Sequence, residues 1–348
     1  MSDPERAGDL VASVIVPTHQ GAHRLPTLLG ALARQTPPFR WEVVVVIDGS
    51  TDHTAEVIAS YRNRLPVRVL TNPTAAGTAA ALTGGYRAAN GTYLIRCDDD
   101  LSPSDSFIAD HVAAHDGRDD RAVIGLTPDL FPDTGYARVY GRQASRRACR
   151  AAYARPPAER WIHWAANNSL HRNAWAGAGG FDARFVYGED FELGYRLSRA
   201  GLTLLIDPRL EAGHRGPATT AATRVPRAFV SGASHRLFDQ VHPGARPAAS
   251  PSRDLRGRVW TTAVRIVSAL ARSHAAARRL GRVTDQVIRV APAPLAGRLV
   301  AIAVEAAGRS GRLHGATDLA GYRGQKRAEL AAEHDRPPDP PGHGRKAQ

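Results

Sequence analysis

A chain of 348 residues, 43% hydrophobic and 23% charged, is long and apolar enough to bury a core, which excludes global disorder. Its two cysteines, Cys97 and Cys149, exclude a disulfide framework and a four-cysteine zinc site, and they suit a reducing compartment. The net charge of +13 belongs to the C-terminal third, because residues 1–216 hold 24 Arg and 24 Asp or Glu, whereas residues 217–348 hold 22 Lys or Arg and 9 Asp or Glu.

The beginning of the chain has no basic segment followed by an apolar run, so we expect no signal peptide. No stretch of about 18 uncharged apolar residues occurs, so we expect no conventional membrane span. We therefore expect a cytoplasmic protein, with a peripheral position at the inner face of the membrane as an option. The basic C-terminal third reflects either GC-rich coding or a patch that faces anionic lipid, nucleic acid or an acidic partner.

The first hundred residues alternate between apolar runs and segments of helical periodicity. The apolar runs predict buried strands at residues 11–16, 41–47, 67–70 and 93–97. The periodic segments between them predict helices at residues 24–34, 54–61 and 78–89. Such alternation with continuous apolar strands is typical of a parallel sheet covered by helices on both faces. Ligands of these sheets bind at the carboxyl ends of the strands, and here polar clusters follow Val16, Ile47 and Cys97.

Later segments predict two more strands and a helical C-terminal region. The strands are expected at residues 122–126 and 203–206, on either side of an aromatic and polar stretch. Helices are expected at about residues 257–280 and 283–308, the first with an apolar stripe of Val259, Ala263, Ile266, Val267 and Leu270. The proline-rich tail from residue 331 is expected to be disordered.

Three adjacent carboxylates, Asp98 to Asp100, follow the fourth predicted strand. They repel each other unless a cation neutralises them, and Mg²⁺ or Mn²⁺ with oxygen ligands suits such a cluster. A solvated acidic turn is the alternative interpretation.

Three other polar motifs each allow a functional and a structural interpretation. Asp48 can accept hydrogen bonds from a base or a ribose, or it can belong to a turn before a helix. Glu189 and Asp190 can supply a general base, or they can favour the N-terminal dipole of the following helix. His214 can ligate a metal or contact a diphosphate, or it can be structural.

Five segments of the chain, in this order, resemble the family 2 glycosyltransferases: VIVPTHQ at 14–20, EVVVVIDGSTD at 42–52, LIRCDDD at 94–100, GGFD at 179–182 and GEDFELGYRL at 188–197. The resemblance implies a GT-A fold, an α/β architecture with a mostly parallel sheet and helices on both faces, over residues 1–216. It implies a nucleotide-sugar half at about 11–100 and an acceptor half at about 101–216. A basic, mainly helical extension at 217–330 and a tail at 331–348 follow.

The resemblance also implies roles for matching residues. Asp190 is implied as the catalytic base, with Glu189 beside it near the acceptor. The nucleotide-sugar site is implied at Pro17, Thr18, His19, Asp48, Asp98 and Asp99. The metal site is implied at Asp100, Asp98 and His214. We expect the acceptor near Trp161, Trp164 and Asn168, because aromatic faces stack on sugar rings, with core packing as the alternative.

The implied reaction is an inverting, metal-dependent transfer of a sugar from a nucleotide sugar, with UDP-type donors favoured, to a hydroxyl of a carbohydrate, a lipid-linked or a small-molecule acceptor. A sugar-1-phosphate nucleotidyltransferase is one alternative, but residues 17–23 lack a Gly-rich phosphate loop with Arg or Lys. A non-enzymatic protein that binds the membrane surface is the other alternative. Nucleic-acid binding is disfavoured, because the basic region has few aromatic residues and no recognisable module.

Overall fold

A computed structural model of the chain describes residues 10–246, 254–316 and 324. The chain divides into two units, one of Met1–Leu130 and Ala144–Arg215 and the other of Phe131–Gln143 and Gly216–Gln348. Residues 131–143, which the sequence analysis placed in the first domain, thus group with the C-terminal unit. The tail predicted to be disordered, 331–348, lies outside the described residues.

The first unit is built on strands whose bounds follow the predicted apolar runs closely. In chain order they are β1 (Ala12–Thr18), β2 (Trp41–Asp48), β3 (Val67–Asn72), β4 (Tyr93–Cys97), β5 (Leu101–Ser102), β6 (Arg121–Ile124), β7 (Asn167–His171), β8 (Thr203–Ile206) and β9 (Gly213–His214). Seven of them form one sheet in the order β3-β2-β1-β4-β7-β6-β8, and β5 pairs with β9 in a separate two-stranded ladder. The predicted strands near 122–126 and 203–206 are confirmed as β6 and β8.

The large sheet is mostly parallel, as predicted, but β7 runs antiparallel to both of its neighbours, β4 and β6. The sequence analysis did not predict β7, because its residues, NNSLH, lack an apolar run. Asn167 and Ser169 are nevertheless buried in the middle of the sheet.

Buried histidines satisfy these polar side chains of β7. The Nδ1 of His111 lies 2.9 Å from the Ser169 Oγ, and its Nε2 lies 3.0 Å from the Asn167 Oδ1. The Nε2 of His115 lies 2.8 Å from the same Ser169 Oγ. Burial lowers the pKa of His111 to about 4 and that of His115 to about 3, so both rings are neutral at pH 7. Hydrogen bonds to these neutral rings let a polar strand sit in the core.

Helices cover the sheet and place loops at the ends of its strands. The first seven are α1 (Leu25–Leu32), α2 (Thr54–Ala59), α3 (Thr78–Ala88), α4 (Phe107–His115), α5 (Arg142–Tyr153), α6 (Arg172–Ala178) and α7 (Glu189–Arg199). The three helices predicted in the first hundred residues are confirmed as α1, α2 and α3. The leucines of α1 are fully buried against valines of β1 and β2, which is the helix face that their spacing predicted.

Within its described residues, the second unit contains four long helices: α8 (Ala221–Val241), α9 (Leu255–Ser268), α10 (His274–Val287) and α11 (Ala293–His314). Helix α8 packs on α10 and α11, around a core that includes Val225, Phe229 and Val300. The two predicted helices are three in the structure. The Ser273 side chain caps α10 by accepting a hydrogen bond from the Ala276 N–H, and Pro292, which has no N–H, stands at the start of α11.

Candidate active site

The carboxyl ends of β1, β2 and β4 meet at one edge of the large sheet, where hydrogen bonds join their loops. The Nδ1 of His19 lies 2.6 Å from the Asp48 carbonyl oxygen. The Thr18 hydroxyl donates to Asp99 at 2.6 Å. Residues that follow three separate strands are thereby brought to a single edge, as the sequence predicted.

Asp48 holds the loop after β3 in place. Its Oδ1 accepts from the Asn72 side-chain amide at 2.8 Å and from the Ala76 N–H at 2.9 Å, and its Oδ2 accepts from the Gly77 N–H at 2.8 Å. Gly77 has φ of +99°, which favours glycine at this position. A carboxylate has about four acceptor positions, so at most about one remains for a ligand. Recognition of a base by Asp48 stays a prediction.

The three adjacent carboxylates point in different directions and have different partners. Asp99 accepts two hydrogen bonds from the Arg24 guanidinium, both at 3.0 Å, besides the one from Thr18. Its side chain is 11% exposed. The sequence assigned Asp99 to the nucleotide sugar, but these contacts give it the role of anchoring the loop after β1.

Asp100 faces His214. It directly precedes β5, and β5 pairs with β9, in which His214 lies opposite Leu101. The Oδ2 of Asp100 lies 3.1 Å from the His214 Nε2, and the Oδ1 of Asp129 lies 2.7 Å from the Nδ1 of the same ring. Burial disfavours the charged ring, but the two carboxylates outweigh burial and raise the pKa of His214 to about 10. The predicted pairing of Asp100 with His214 is present, whereas Asp129 had no signal in the sequence.

Asp98 is turned away from Asp100 and forms a two-point ion pair with Arg96. The Nε and Nη2 of Arg96 lie 2.7 and 3.1 Å from the two carboxylate oxygens of Asp98. Both oxygens of Asp98 thus bind the guanidinium, and its part in the metal site stays a prediction.

The same Arg96 reaches Asp190 through its third nitrogen, Nη1. Asp190 lies in the first turn of α7, after Gly188, whose φ is +81°. One guanidinium thus joins the carboxylate after β4 to a carboxylate that lies 94 positions after Arg96 in the chain. The sequence analysis missed Arg96, although a charged residue within the apolar run YLIRC is a signal that could have revealed it.

The acidic pair at the start of α7 is buried enough to hold a proton. Burial, reinforced by the charge of Asp190, raises the pKa of Glu189 to about 8. Burial also raises the pKa of Asp190, although Arg96 opposes this rise. The Glu189 side chain is hydrogen-bonded to Asp190. At pH 7 the pair therefore holds one proton, on Glu189, which leaves Asp190 ionised beside Arg96.

Replacing Glu189 with Gln is expected to stabilise the protein at neutral pH. Between the ordinary pKa of 4.5 and the raised pKa of about 8, the folded state keeps a proton that the unfolded state has lost, so stability falls as pH rises through this range. Removing this titration should raise the free energy of unfolding by up to about 3 kcal/mol at pH 7 and by little near pH 4.5. Urea unfolding at both pH values measures the difference. The exposed Glu56→Gln is the control, and a variant that is less stable at both values contradicts the assignment.

The residues expected at the acceptor lie inside the protein. Trp164 is 1% exposed, Asn168 is fully buried and Trp161 is 6% exposed. Trp161 stacks edge-on against Tyr195 with ring centroids 5.1 Å apart, and Asn168 donates to the Ala165 carbonyl. Their burial agrees with the alternative of core packing, and a contact of these side chains with an acceptor stays a prediction.

The loop after β1 is rigidly held beside the site. Gln20 accepts hydrogen bonds from the N–H groups of Thr51 and Asp52, both at 3.1 Å. Its own N–H donates to the Ser50 hydroxyl at 2.9 Å. Pro17 and Thr18 end β1, and His19 touches the β2 end, so the segment predicted to line a nucleotide pocket lies at the site's edge.

The donor set at Asp100 and His214 fits a divalent metal ion of the kind that the resemblance implies. One carboxylate oxygen and one ring nitrogen face each other at 3.1 Å, and Asp129 can accept the Nδ1 proton, so that loss of the Nε2 proton would leave a ring lone pair facing Asp100. Among the residues that the structure describes, no cluster of three His, Cys, Asp or Glu is arranged to hold a metal alone. Two protein ligands therefore fit an ion that shares its coordination with phosphate oxygens.

Known proteins share this sequence pattern and this fold. Residues 13–173 match the family model described as glycosyl transferase family 2. A validoxylamine A glucosyltransferase of Streptomyces hygroscopicus subsp. jinggangensis is 31% identical over 233 residues, which cover 58% of this chain and 55% of that protein. A poly(ribitol-phosphate) beta-N-acetylglucosaminyltransferase of Staphylococcus aureus is 34% identical over 108 residues, which cover 28% of this chain and 19% of that protein. The chain thus spans about half the length of the validoxylamine A glucosyltransferases that it matches, 55% of one and 51% of another.

A solved structure supports the architecture. The mannosyltransferase of Pyrobaculum calidifontis, in complex with GDP-Man and Mn²⁺, superposes with a TM-score of 0.56 at 19% identity, covering 88% of each chain. At this identity the likeness concerns the fold. The family resemblance predicted from five motifs is confirmed for residues 13–173, which match glycosyl transferase family 2, and the fold is of the GT-A type.

Proposed function

We propose that this protein transfers a sugar from a nucleotide sugar to an acceptor hydroxyl with inversion at the anomeric carbon. The observation that carries the proposal is the Asp98–Arg96–Asp190 bridge, which ties a carboxylate at the β4 end to a carboxylate at the start of α7. In the proposed reaction, the acceptor oxygen attacks the anomeric carbon, the bond to the nucleoside diphosphate breaks, and Asp190 takes the hydroxyl proton.

Asp190 has the properties that a general base needs. Its side chain is 23% exposed, so one side can meet an acceptor while the other binds Arg96. The proton on Glu189 and the charge of Arg96 keep Asp190 ionised despite its burial. A base whose pKa is raised toward the working pH transfers protons more effectively than an ordinary carboxylate.

Asp100 and His214 are the residues that would hold Mg²⁺ or Mn²⁺. Such an ion, when bound, offsets the negative charge that develops on a leaving diphosphate. Asp129 orients the His214 ring through its Nδ1. No covalent enzyme intermediate is needed, and the buried Cys97 has a pKa raised by burial, which makes it a poor nucleophile.

We favour a UDP-type donor, because a carboxylate such as Asp48 can accept a hydrogen bond from the imide N–H of uracil. The donor screen should measure the release of nucleoside diphosphate from UDP-, GDP- and dTDP-sugars with Mg²⁺ and with Mn²⁺. Release that requires both an acceptor and a divalent ion supports the proposal. Formation of a nucleotide sugar from a sugar 1-phosphate and a nucleoside triphosphate, without transfer to any acceptor, contradicts it.

Asp100→Ala and His214→Ala should each weaken the binding of UDP in the presence of Mn²⁺, by about 10- to 100-fold. The reason is that each variant leaves the ion with a single protein ligand. Isothermal titration of UDP with and without Mn²⁺ measures the loss, which should be confined to the titration with metal. Asp105→Ala, at a surface carboxylate that is 64% exposed, is the matched control. An unchanged affinity in both variants removes these residues from the metal site.

A further inference from the structure

Exposed apolar side chains are concentrated in the C-terminal unit. Of the ten large hydrophobic residues that are exposed in the described part of the chain, nine lie between residues 255 and 313: Leu255, Val259, Ile266, Leu270, Val283, Val287, Val290, Leu295 and Leu313. Single exposed hydrophobic residues are ordinary, but a concentration of this kind marks an interaction surface.

On α9 these side chains form a continuous stripe. Leu255, Val259 and Ile266 are 75%, 62% and 65% exposed, and Leu270, just after the helix, is 68% exposed. At about 100° per residue, the three helical positions fall within a sector of about 40°. We call this set, with Leu270, the α9 stripe.

The stripe faces away from the protein. On the opposite side of α9, Val264 is 8% exposed and Ser268 is 7% exposed. The Trp260 Nε1 donates to the Glu305 carboxylate at 2.7 Å, which fixes α9 on α11. Since the buried face is already occupied, the α9 stripe is a second apolar face that residues 254–316 leave uncovered.

Arginines flank the stripe on both sides. Arg256 lies on one side of it, and Arg258 and Arg265 lie on the other, all of them exposed. Residues 255–290 contain 8 Arg and 1 acidic residue, a balance of 8 − 1 = +7. That acidic residue, Asp285, accepts the Ala221 and Ala222 N–H groups at 2.8 Å each, so it is committed to the start of α8.

An exposed apolar stripe between rows of arginines fits the surface of an anionic bilayer. Apolar side chains enter the boundary between headgroups and acyl chains, while arginine stems extend to the lipid phosphates. A second protein copy with the same arginines would place like charges against each other, which disfavours self-association through this face. No helix in residues 10–246 or 254–316 is both long and apolar enough to cross a membrane.

We propose that the α9 stripe, with its flanking arginines, docks this protein on an anionic lipid surface, with α9 lying in the plane of the interface. Helix α10 carries a similar pattern, with Val283 and Val287 exposed one turn apart and Arg279 and Arg282 exposed beside them. The inference does not depend on the proposed transfer reaction, because lipid binding can be measured without donor or acceptor.

The test is sedimentation of the full-length protein with vesicles. The protein should sediment with vesicles of phosphatidylglycerol and phosphatidylcholine and stay in the supernatant with phosphatidylcholine alone. Raising NaCl from about 0.1 M to about 1 M shortens the screening length from about 10 Å to about 3 Å and should release it. The triple variant Val259→Ser, Ile266→Ser and Leu270→Ser should lower the vesicle partition coefficient by at least about 100-fold.

Four further variants separate the apolar contribution to vesicle binding from the electrostatic one. Leu313→Ser changes an exposed leucine, 50% exposed, that lies outside the stripe, and should leave the partition coefficient unchanged. Arg256→Gln, Arg258→Gln and Arg265→Gln should each lower it by about fivefold. All these side chains are exposed, so unfolding curves followed by circular dichroism should match those of the unaltered protein.

Three results overturn the proposal. The first is unaltered protein that stays in the supernatant with anionic vesicles. The second is a triple serine variant that sediments with the vesicles as well as the unaltered protein does, because vesicle binding would then depend on charge alone. The third is light scattering that shows a dimer for the unaltered protein and a monomer for the triple variant, while neither protein binds vesicles. That result would assign the stripe to contact with a second copy of the chain.

Discussion

Asp190→Asn is expected to lower turnover by about 10²- to 10⁴-fold, the usual contribution of a positioned general base. Asparagine has nearly the same shape as aspartate but cannot accept the proton of an acceptor hydroxyl. Arg96 stays bound to Asp98 in this variant, and Asp100 and His214, the pair proposed to hold the metal ion, are untouched. Donor affinity, measured by calorimetry with Mn²⁺, should therefore stay within about twofold of the original, since the lost interaction belongs to the transition state.

The matched control for this substitution is Asp120→Asn. Asp120 is also paired with an arginine, Arg118, but the pair is about half exposed and lies away from the site. Such surface pairs contribute little to stability, so turnover should not change. Near-normal turnover of Asp190→Asn with a confirmed donor would remove Asp190 from the role of base.

Replacing Arg96 with Met should damage both stability and turnover. Arg96 is 2% exposed, and it is the counter-charge of two carboxylates, Asp98 and Asp190, each about one quarter exposed. Removing one partner of a buried ion pair typically costs about 3 to 5 kcal/mol in the free energy of unfolding. The pKa of Asp190 should rise further, because Arg96 opposes the effect of burial. The acidic limb of the pH–rate profile should therefore move to higher pH.

A conservative variant distinguishes charge from geometry at this position. Arg96→Lys keeps a positive charge but cannot form the two-point contact with Asp98 while reaching Asp190. We expect Lys to restore part of the stability and to leave turnover low. Arg172→Met is the control, because Arg172 is partly buried and its guanidinium donates to the Gly91 carbonyl oxygen, away from any carboxylate of the site. If Arg96→Met keeps its pH–rate profile, Arg96 has no influence on the base.

The double variant Arg96→Met with Asp98→Asn measures the interaction energy between Arg96 and Asp98 in the Asp98–Arg96–Asp190 bridge. If Asp98 loses its charge together with Arg96, the unfavourable charge left at the β4 end is removed, and part of the stability should return. Turnover should not return, because Asp190 still lacks its counter-charge. Additive losses in stability would show that Arg96 and Asp98 act independently, contrary to their two-point contact.

The sequence alone determined the framework of the first unit. Four apolar runs with helical segments between them predicted β1 to β4 and α1 to α3 at nearly correct bounds, because buried strands of a parallel sheet must be apolar throughout. The motif order then predicted the family. Polar residues after strand ends were predicted to share an edge, since the carboxyl ends of parallel strands lie on the same side of a sheet.

Only the tertiary structure decided what each polar residue contacts. Asp98, Asp99 and Asp100 are adjacent in the chain, yet they bind Arg96, Arg24 and His214 respectively, because a turn sends successive side chains in different directions. Arg24 and His214 lie 75 and 114 positions from their partners, and contacts so distant along the chain leave no periodic signal. Trp164 and Asn168 had the composition of an acceptor site, and burial made them core residues.

The α9 helix shows the same limit for apolar residues. Helical periodicity predicted an apolar stripe through Val259 and Ile266, and periodicity reports only that a helix has two unlike faces. Which face meets the protein depends on the neighbouring helix, and here Trp260 and Val264 turn toward the unit while the stripe faces outward. Local sequence periodicity thus determines where helices and strands form. The packing of these helices and strands determines which side chains remain accessible to a ligand or a surface.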